Sequence, residues 1–160
     1  MTAATLRNLT AAAGLTGADL VSWLNQAGET TLVGRLGIVF TEAGPSRLVA
    51  TMPVAGNTQL QGMLHGGASV VLAESLGSIG AALHAGPGRL AVGVDINATH
   101  HRPARRGLVT GVATPLLLGS TSACYEVAIS DAAGERVCSA RITCAITGGR
   151  RPGRSSTREG

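Results

Sequence analysis

From Ala68 to Leu83 the chain carries one ionisable side chain, Glu74, among Val, Leu, Ile, Ala, Gly and Ser. The segment opens at His65-Gly66-Gly67 and stops near Gly86-Pro87-Gly88, which predicts a helix from about Gly66 to Leu83. A helix apolar nearly all round is buried, so the rest of the fold must be built to cover it. A carboxylate is almost never buried without a partner or a task. Glu74 is therefore the first candidate for chemistry, weighed against an ordinary helix glutamate turned to solvent.

The flanking segments supply the cover. Gly17–Gly28 reads as a short amphipathic helix, with Leu20, Trp23 and Leu24 on one face and Gly28 as its stop. Residues 32–42 and 47–54 read as strands around the Ala43-Gly44-Pro45-Ser46 turn. In the second, Leu48, Ala50, Met52 and Val54 share a face. Four further strand-like runs follow the long helix: 90–102, 108–116, 120–130 and 135–147. Tyr125, Val127 and Ile129 alternate with polar neighbours, as do Cys138, Ala140, Ile142, Cys144 and Ile146. One dry face per strand marks an antiparallel sheet packed on one side, and the apolar helix is the element able to cover it. The order β-β-α-β-β-β-β is an α+β domain.

At 160 residues the chain is expected to form one domain, residues 17–147, with a loose Ala/Thr-rich arm over 1–16 and a disordered basic tail over 148–160. That tail holds Arg150, Arg151, Arg154 and Arg158 against Glu159, so it carries +3 of the formal net charge of +4. The remainder is close to neutral, which argues against nucleic acid as a partner; a basic arm for nucleic acid is the minor alternative. No apolar run reaches the length expected of a membrane span, and no export signal opens the chain, so no membrane partner is expected. Cys124, Cys138 and Cys144 lack metal-ligand spacing and read as reduced thiols in a cytoplasmic protein, with no metal site.

Three blocks, GMLHGGASVVLAESLGS, VGVDINATHHRPAR and PLLLGST, stand in an order and spacing that resemble the hotdog-fold acyl-CoA thioesterases. The likeness runs from about Gly34 to Ile146. It is nearest to the Glu-bearing branch that holds 4-hydroxybenzoyl-CoA thioesterase and 1,4-dihydroxy-2-naphthoyl-CoA hydrolase. The resemblance implies a long central helix wrapped by an antiparallel sheet, and hydrolysis of an aromatic or bulky acyl-CoA to free acid and CoA. It implies no separate cofactor, since CoA is part of the substrate. It also implies a homo-oligomer, a dimer or a homotetramer built as a dimer of dimers, with active sites at the dimer interface. The alternatives are a hotdog hydroxyacyl-thioester dehydratase and a non-catalytic acyl-CoA-binding module.

A desolvated carboxylate at Glu74 is able to attack a thioester directly or to activate water. The Gly66 amide, free of an intrahelical acceptor at the positive end of the helix, suits a developing oxyanion; the bland reading is a glycine that only admits the helix. Ser78 follows Glu74 by one turn and either bonds the carboxylate or bonds back to its own helix. The resemblance assigns Gln59 to the thioester and leaves His65 either to orient substrate or to cap the helix. It assigns substrate binding to Gly93, His100, His101, Arg102 and Pro103, and to Leu117, Leu118, Gly119, Ser120 and Thr121. By alternation alone, Val92, Val94, Ile96, Ala98 and His100 share one strand face. Arg102, Arg105 and Arg106 form a basic turn suited to CoA phosphates, Arg102 foremost. Eight residues of helix span about 12 Å, so Gly66 and Glu74 of one chain cannot serve one carbonyl.

Overall fold

The computed structural model describes residues 14–148; the expected arm up to residue 13 and the tail from 149 lie outside the described residues. Helix α1 spans Gly17–Gly28 and buries Leu20 and Leu24, the i and i+4 positions of its apolar face. It is fastened to the first strand by Asn25, whose amide donates to the Phe40 carbonyl (3.0 Å) and accepts from the Phe40 N–H (2.8 Å). The strand expected from residue 32 begins seven residues later. Leu32–Arg35 instead form a helical turn, α2, because the Thr31 hydroxyl accepts from Val33 N–H and caps it. Gly37, at φ 66°, then turns the chain into β1.

The strands are β1 (Val39–Gly44), β2 (Arg47–Pro53), β3 (Arg89–His100), β4 (Leu108–Leu118), β5 (Ser122–Ser130) and β6 (Arg136–Gly148). They form one antiparallel sheet in the order β1-β2-β4-β5-β6-β3, so β3 is an edge. Helix α3 (Gly66–Ala85) lies across its dry face. The alternating residues read from the sequence are the ones buried: Leu48, Ala50, Met52 and Val54 from the β2 region, Tyr125, Val127 and Ile129 on β5, and Cys138 through Ile146 on β6. The bare faces of two glycines set the helix-to-sheet distance. A methyl at Gly77 would overlap Ile142 Cγ2, and one at Gly80 would stand 2.7 Å from Tyr125 Cζ and 2.9 Å from Leu48 Cδ1. The Tyr125 hydroxyl, carried through the core, donates to the Pro45 carbonyl at 2.6 Å.

Two expectations are corrected. By length and composition α3 is apolar enough to cross a membrane; in this fold its apolar side chains, Leu72, Ala73, Leu76 and Ala81 among them, are buried inside the domain. On β3 the alternation is broken by a bulge between Gly93 and Asp95. Ile96, Ala98 and His100 pair with Ile142, Ala140 and Cys138 and face the helix, as expected. Before the bulge the phase is reversed, so Ala91 and Gly93 face inward while Val92 points away and is 45% exposed.

Candidate active site

The loop between β2 and α3 is held by one side chain. Asn57 donates to the carbonyls of Leu36 and Pro53 (2.8 Å each), and its own carbonyl accepts the His65 N–H at 2.8 Å. Gln59 N–H donates to Met63 O at 2.9 Å and Leu64 N–H to Ala104 O at 2.7 Å, which fixes the loop against the β3–β4 turn. This framework brings Gln59 to the start of α3.

There His65 is the cap. Its Nδ1 accepts the Gly67 N–H at 2.8 Å, while its carbonyl takes the amides of Ala68 (3.0 Å) and Ser69 (3.3 Å). Of the first four amides of α3, which lack intrahelical acceptors, His65 thus satisfies three. Among the described residues the Gly66 N–H has no hydrogen-bond partner. Gly66 lies on the wall of a cleft of about 350 Å³, with Gln59, Met63, Leu64, Ser69, His100, His101, Arg102, Pro103, Ala104 and Val137. The His100 ring is packed on it: a methyl at Gly66 would stand 2.8 Å from His100 Nε2. The sequence reading had not included Met63, Leu64, Ser69, Ala104 or Val137. Only Ser69 carried a signal, as a polar residue in the first turn of a helix whose neighbours are apolar.

Glu74 does not line this cleft. It is half-buried beneath β3, with its carboxyl against the bare Cα of Gly93. Burial pushes its pKa above the usual carboxylate range. The neighbouring Cys144 thiol is pushed up to about 11, first by burial and then by the Glu74 and Cys124 charges. Ser78 is not bonded to Glu74: its hydroxyl donates back to the Ser75 carbonyl at 3.4 Å, the helix-internal alternative.

The substrate-binding candidates divide in the same way. His100, His101, Arg102 and Pro103 stand with Gly66. His101 Nε2 is 3.0 Å from the Ser139 hydroxyl, and Arg102 is ion-paired with Glu135. Arg102, the basic residue named foremost for the CoA phosphates, thus stands on the cleft in an exposed ion pair. Arg105 and Arg106 instead line a depression of about 750 Å³ shared with Asp131, and it adjoins the cleft at Pro103 and Ala104. Leu117, Leu118, Gly119, Ser120 and Thr121 stand at the other end of α3, where His84 Nε2 meets the Gly119 carbonyl at 2.9 Å and Arg89 donates to the Ser120 carbonyl. Leu117 and Leu118 are exposed, and Thr121 O accepts the Ile146 N–H at 2.8 Å. Within one chain the candidates therefore fall into separate groups, one at the start of α3 and one near its end, with Glu74 between them. Among the described residues no group of three or more His, Cys, Asp or Glu is disposed to hold a metal ion.

A single long helix wrapped by an antiparallel sheet, with a glycine pair at the helix start beside the cleft, defines a hotdog-fold protein. Residues 61–138 match the family model described as the thioesterase superfamily. The chain is 48% identical over 126 residues to the proofreading thioesterase EntH of Cronobacter sakazakii, covering 78% of this chain and 92% of that protein. A thioesterase of Haemophilus influenzae superposes with a TM-score of 0.79 at 37% identity, over 85% of this chain and 94% of that one. A thioesterase of Pseudomonas aeruginosa, solved as a glutamine-to-alanine variant, gives 0.78 at 36% identity, over 86% and 99%. This chain belongs to the thioesterase superfamily. It is an acyl-thioester hydrolase, which decides against the dehydratase and the non-catalytic binding module.

Proposed function

We propose that the protein hydrolyses an aromatic or otherwise bulky acyl-CoA, with the Gly66 amide of one subunit and Glu74 of its neighbour acting on the same thioester. The observation that carries this reading is the Gly66 N–H, left without a partner by a cap that satisfies the three amides after it. Such a donor stabilises the oxyanion as the carbonyl carbon becomes tetrahedral. The cleft beside it has apolar walls in Met63, Leu64, Ala104 and Val137. A cavity of about 150 Å³ accommodates benzene, so about 350 Å³ admits a single-ring acyl group with space for the thioester. Gln59 and His100 stand on the same wall to orient the thioester and the acyl group.

Glu74 delivers the attack in one of two balanced ways. It adds to the carbonyl carbon, expels the CoA thiolate and leaves a mixed anhydride that water hydrolyses; or it takes a proton from water as that water adds, the tetrahedral carbon expels the CoA thiolate, and the proton passes to the thiolate. Either way the products are a carboxylic acid and CoA. Arg105 and Arg106, on a depression adjoining the cleft, suit the CoA phosphates. Residues 17–147 form the catalytic domain of a cytoplasmic homo-oligomer that needs no further cofactor.

The test is thiol release across a panel of aromatic, branched and straight-chain acyl-CoA substrates, with the wild type and Glu74→Gln. The reading expects the highest kcat/KM for aromatic acyl groups. It expects turnover to fall about 10²- to 10⁴-fold in the variant while CoA affinity is unchanged. Turnover within a few-fold of the wild type would overturn the role of Glu74, and a preference for straight chains would overturn the substrate class.

A further inference from the structure

We infer that Gly93 is a positioning residue for the hydrolysis: its bare Cα, turned to the helix side of β3 by the bulge at Val94, is the seat of the Glu74 carboxylate. The inference deepens the proposed role of Glu74 and rests on it for its kinetic part. Gly93 stands opposite Cys144, whose buried side chain faces α3, while Asp95 stands opposite Thr143 on the other face. Val94 has no partner between them and is 62% exposed. The one extra residue therefore places glycine, and no residue with a side chain, over the helix.

The three heavy atoms nearest to a methyl built on Gly93 all belong to Glu74: it would overlap Oε1 and lie 3.3 Å from Cδ and 3.6 Å from Oε2. The slot is thus filled by this carboxyl group. Its two walls are fixed to each other. Three residues beyond Glu74, Gly77 packs on Ile142, and Ile142 pairs with Ile96 on the strand that carries Gly93. A glutamate has freely rotating bonds to its carboxyl, and a seat that removes this freedom keeps the attacking oxygen in reach. Misplacement by about 1 Å costs on the order of 10²-fold in rate.

The experiment is a double-mutant cycle read in two ways on the full chain. In the thermal arm, Gly93→Ala changes Tm less favourably in the wild-type background than in the Glu74→Ala background, where the slot is empty. An equal change in both backgrounds overturns the seat. If Gly93→Ala alone fails to fold, folding of the Gly93→Ala/Glu74→Ala chain supports it and failure of that chain overturns it. In the kinetic arm, Gly93→Ala lowers kcat by about 10²-fold with KM unchanged, and causes no further loss in Glu74→Gln. Wild-type kcat in Gly93→Ala, or losses that add, overturns the positioning role. Wild-type turnover in Glu74→Gln sinks the proposed mechanism alone, because the thermal arm reports on the seat without reference to activity.

Discussion

Glu74 works against the fold that holds it. Its folded-state pKa is raised by burial, so the folded protein favours the protonated carboxyl more than the unfolded chain does. That contribution is fully present below the unfolded value and is lost as pH rises through the folded one. Glu74→Gln should therefore raise Tm at neutral pH, and the difference should vanish below about pH 4; thermal melts at both pH values check this. By the same shift, the acid limb of kcat should lie above the ordinary carboxylate range and disappear in the variant. The Gly66 amide is separable from its missing side chain. Proline is tolerated at the first position of a helix, and His65 already has the extended backbone (ψ 132°) that precedes proline. Gly66→Pro removes the N–H and Gly66→Ala keeps it, and both meet the His100 ring with a Cβ. Proline should cost about 10²- to 10³-fold in kcat beyond alanine. The half-burial of Glu74 was legible because it is the one ionisable residue of its segment, and the free Gly66 amide because it opens a helix. The engagement of Arg102 by Glu135 was not, since it depends on which atoms the fold brings together, and the cap made by His65 was read only as one of two alternatives.

The helix and the strands were legible where their periodicity was pure. The period-two faces of β2, β5 and β6 fell on the buried residues that their patterns named, and so did the 3.6-residue face of α1 but for Trp23, which is partly buried. Legibility failed where one local bond outweighed a pattern. The Thr31 cap turned an expected strand start into α2, and one unpaired residue reversed the phase of β3. The approach of α3 to the sheet rests on glycines whose neighbours are a rigid ring and a β-branched side chain. Gly80→Ala places its methyl against Tyr125 and Leu48. It should cost about 1–3 kcal/mol by overpacking, seen as a lower denaturation midpoint with an unchanged slope in urea.

At the scale of the whole molecule, Gly66 lines the cleft at the start of α3 and Glu74 does not, so a complete site under the proposed arrangement needs two chains. Co-expressed Gly66→Pro and Glu74→Gln chains give a sharp check. A hybrid dimer with shared sites has one site bearing both lesions and one bearing neither, and should show about half the wild-type turnover. Sites built within single chains would each keep a lesion, and the hybrid would stay inactive.

The bulge in β3 makes the position of a deletion in this strand matter more than its size. Val94 is the extra residue, so its loss would leave Gly93 opposite Cys144 and Asp95 opposite Thr143 in a regular ladder. Loss of Gly93 itself would put a valine over Glu74. Either Val94, drawn into the ladder, or Val92, moved on by one place, would then occupy the phase that Gly93 now holds. Deletions should therefore be accepted at Val94 and in the turn at 131–134 and rejected at Gly93, even though Gly93 and Val94 lie side by side on the same edge strand.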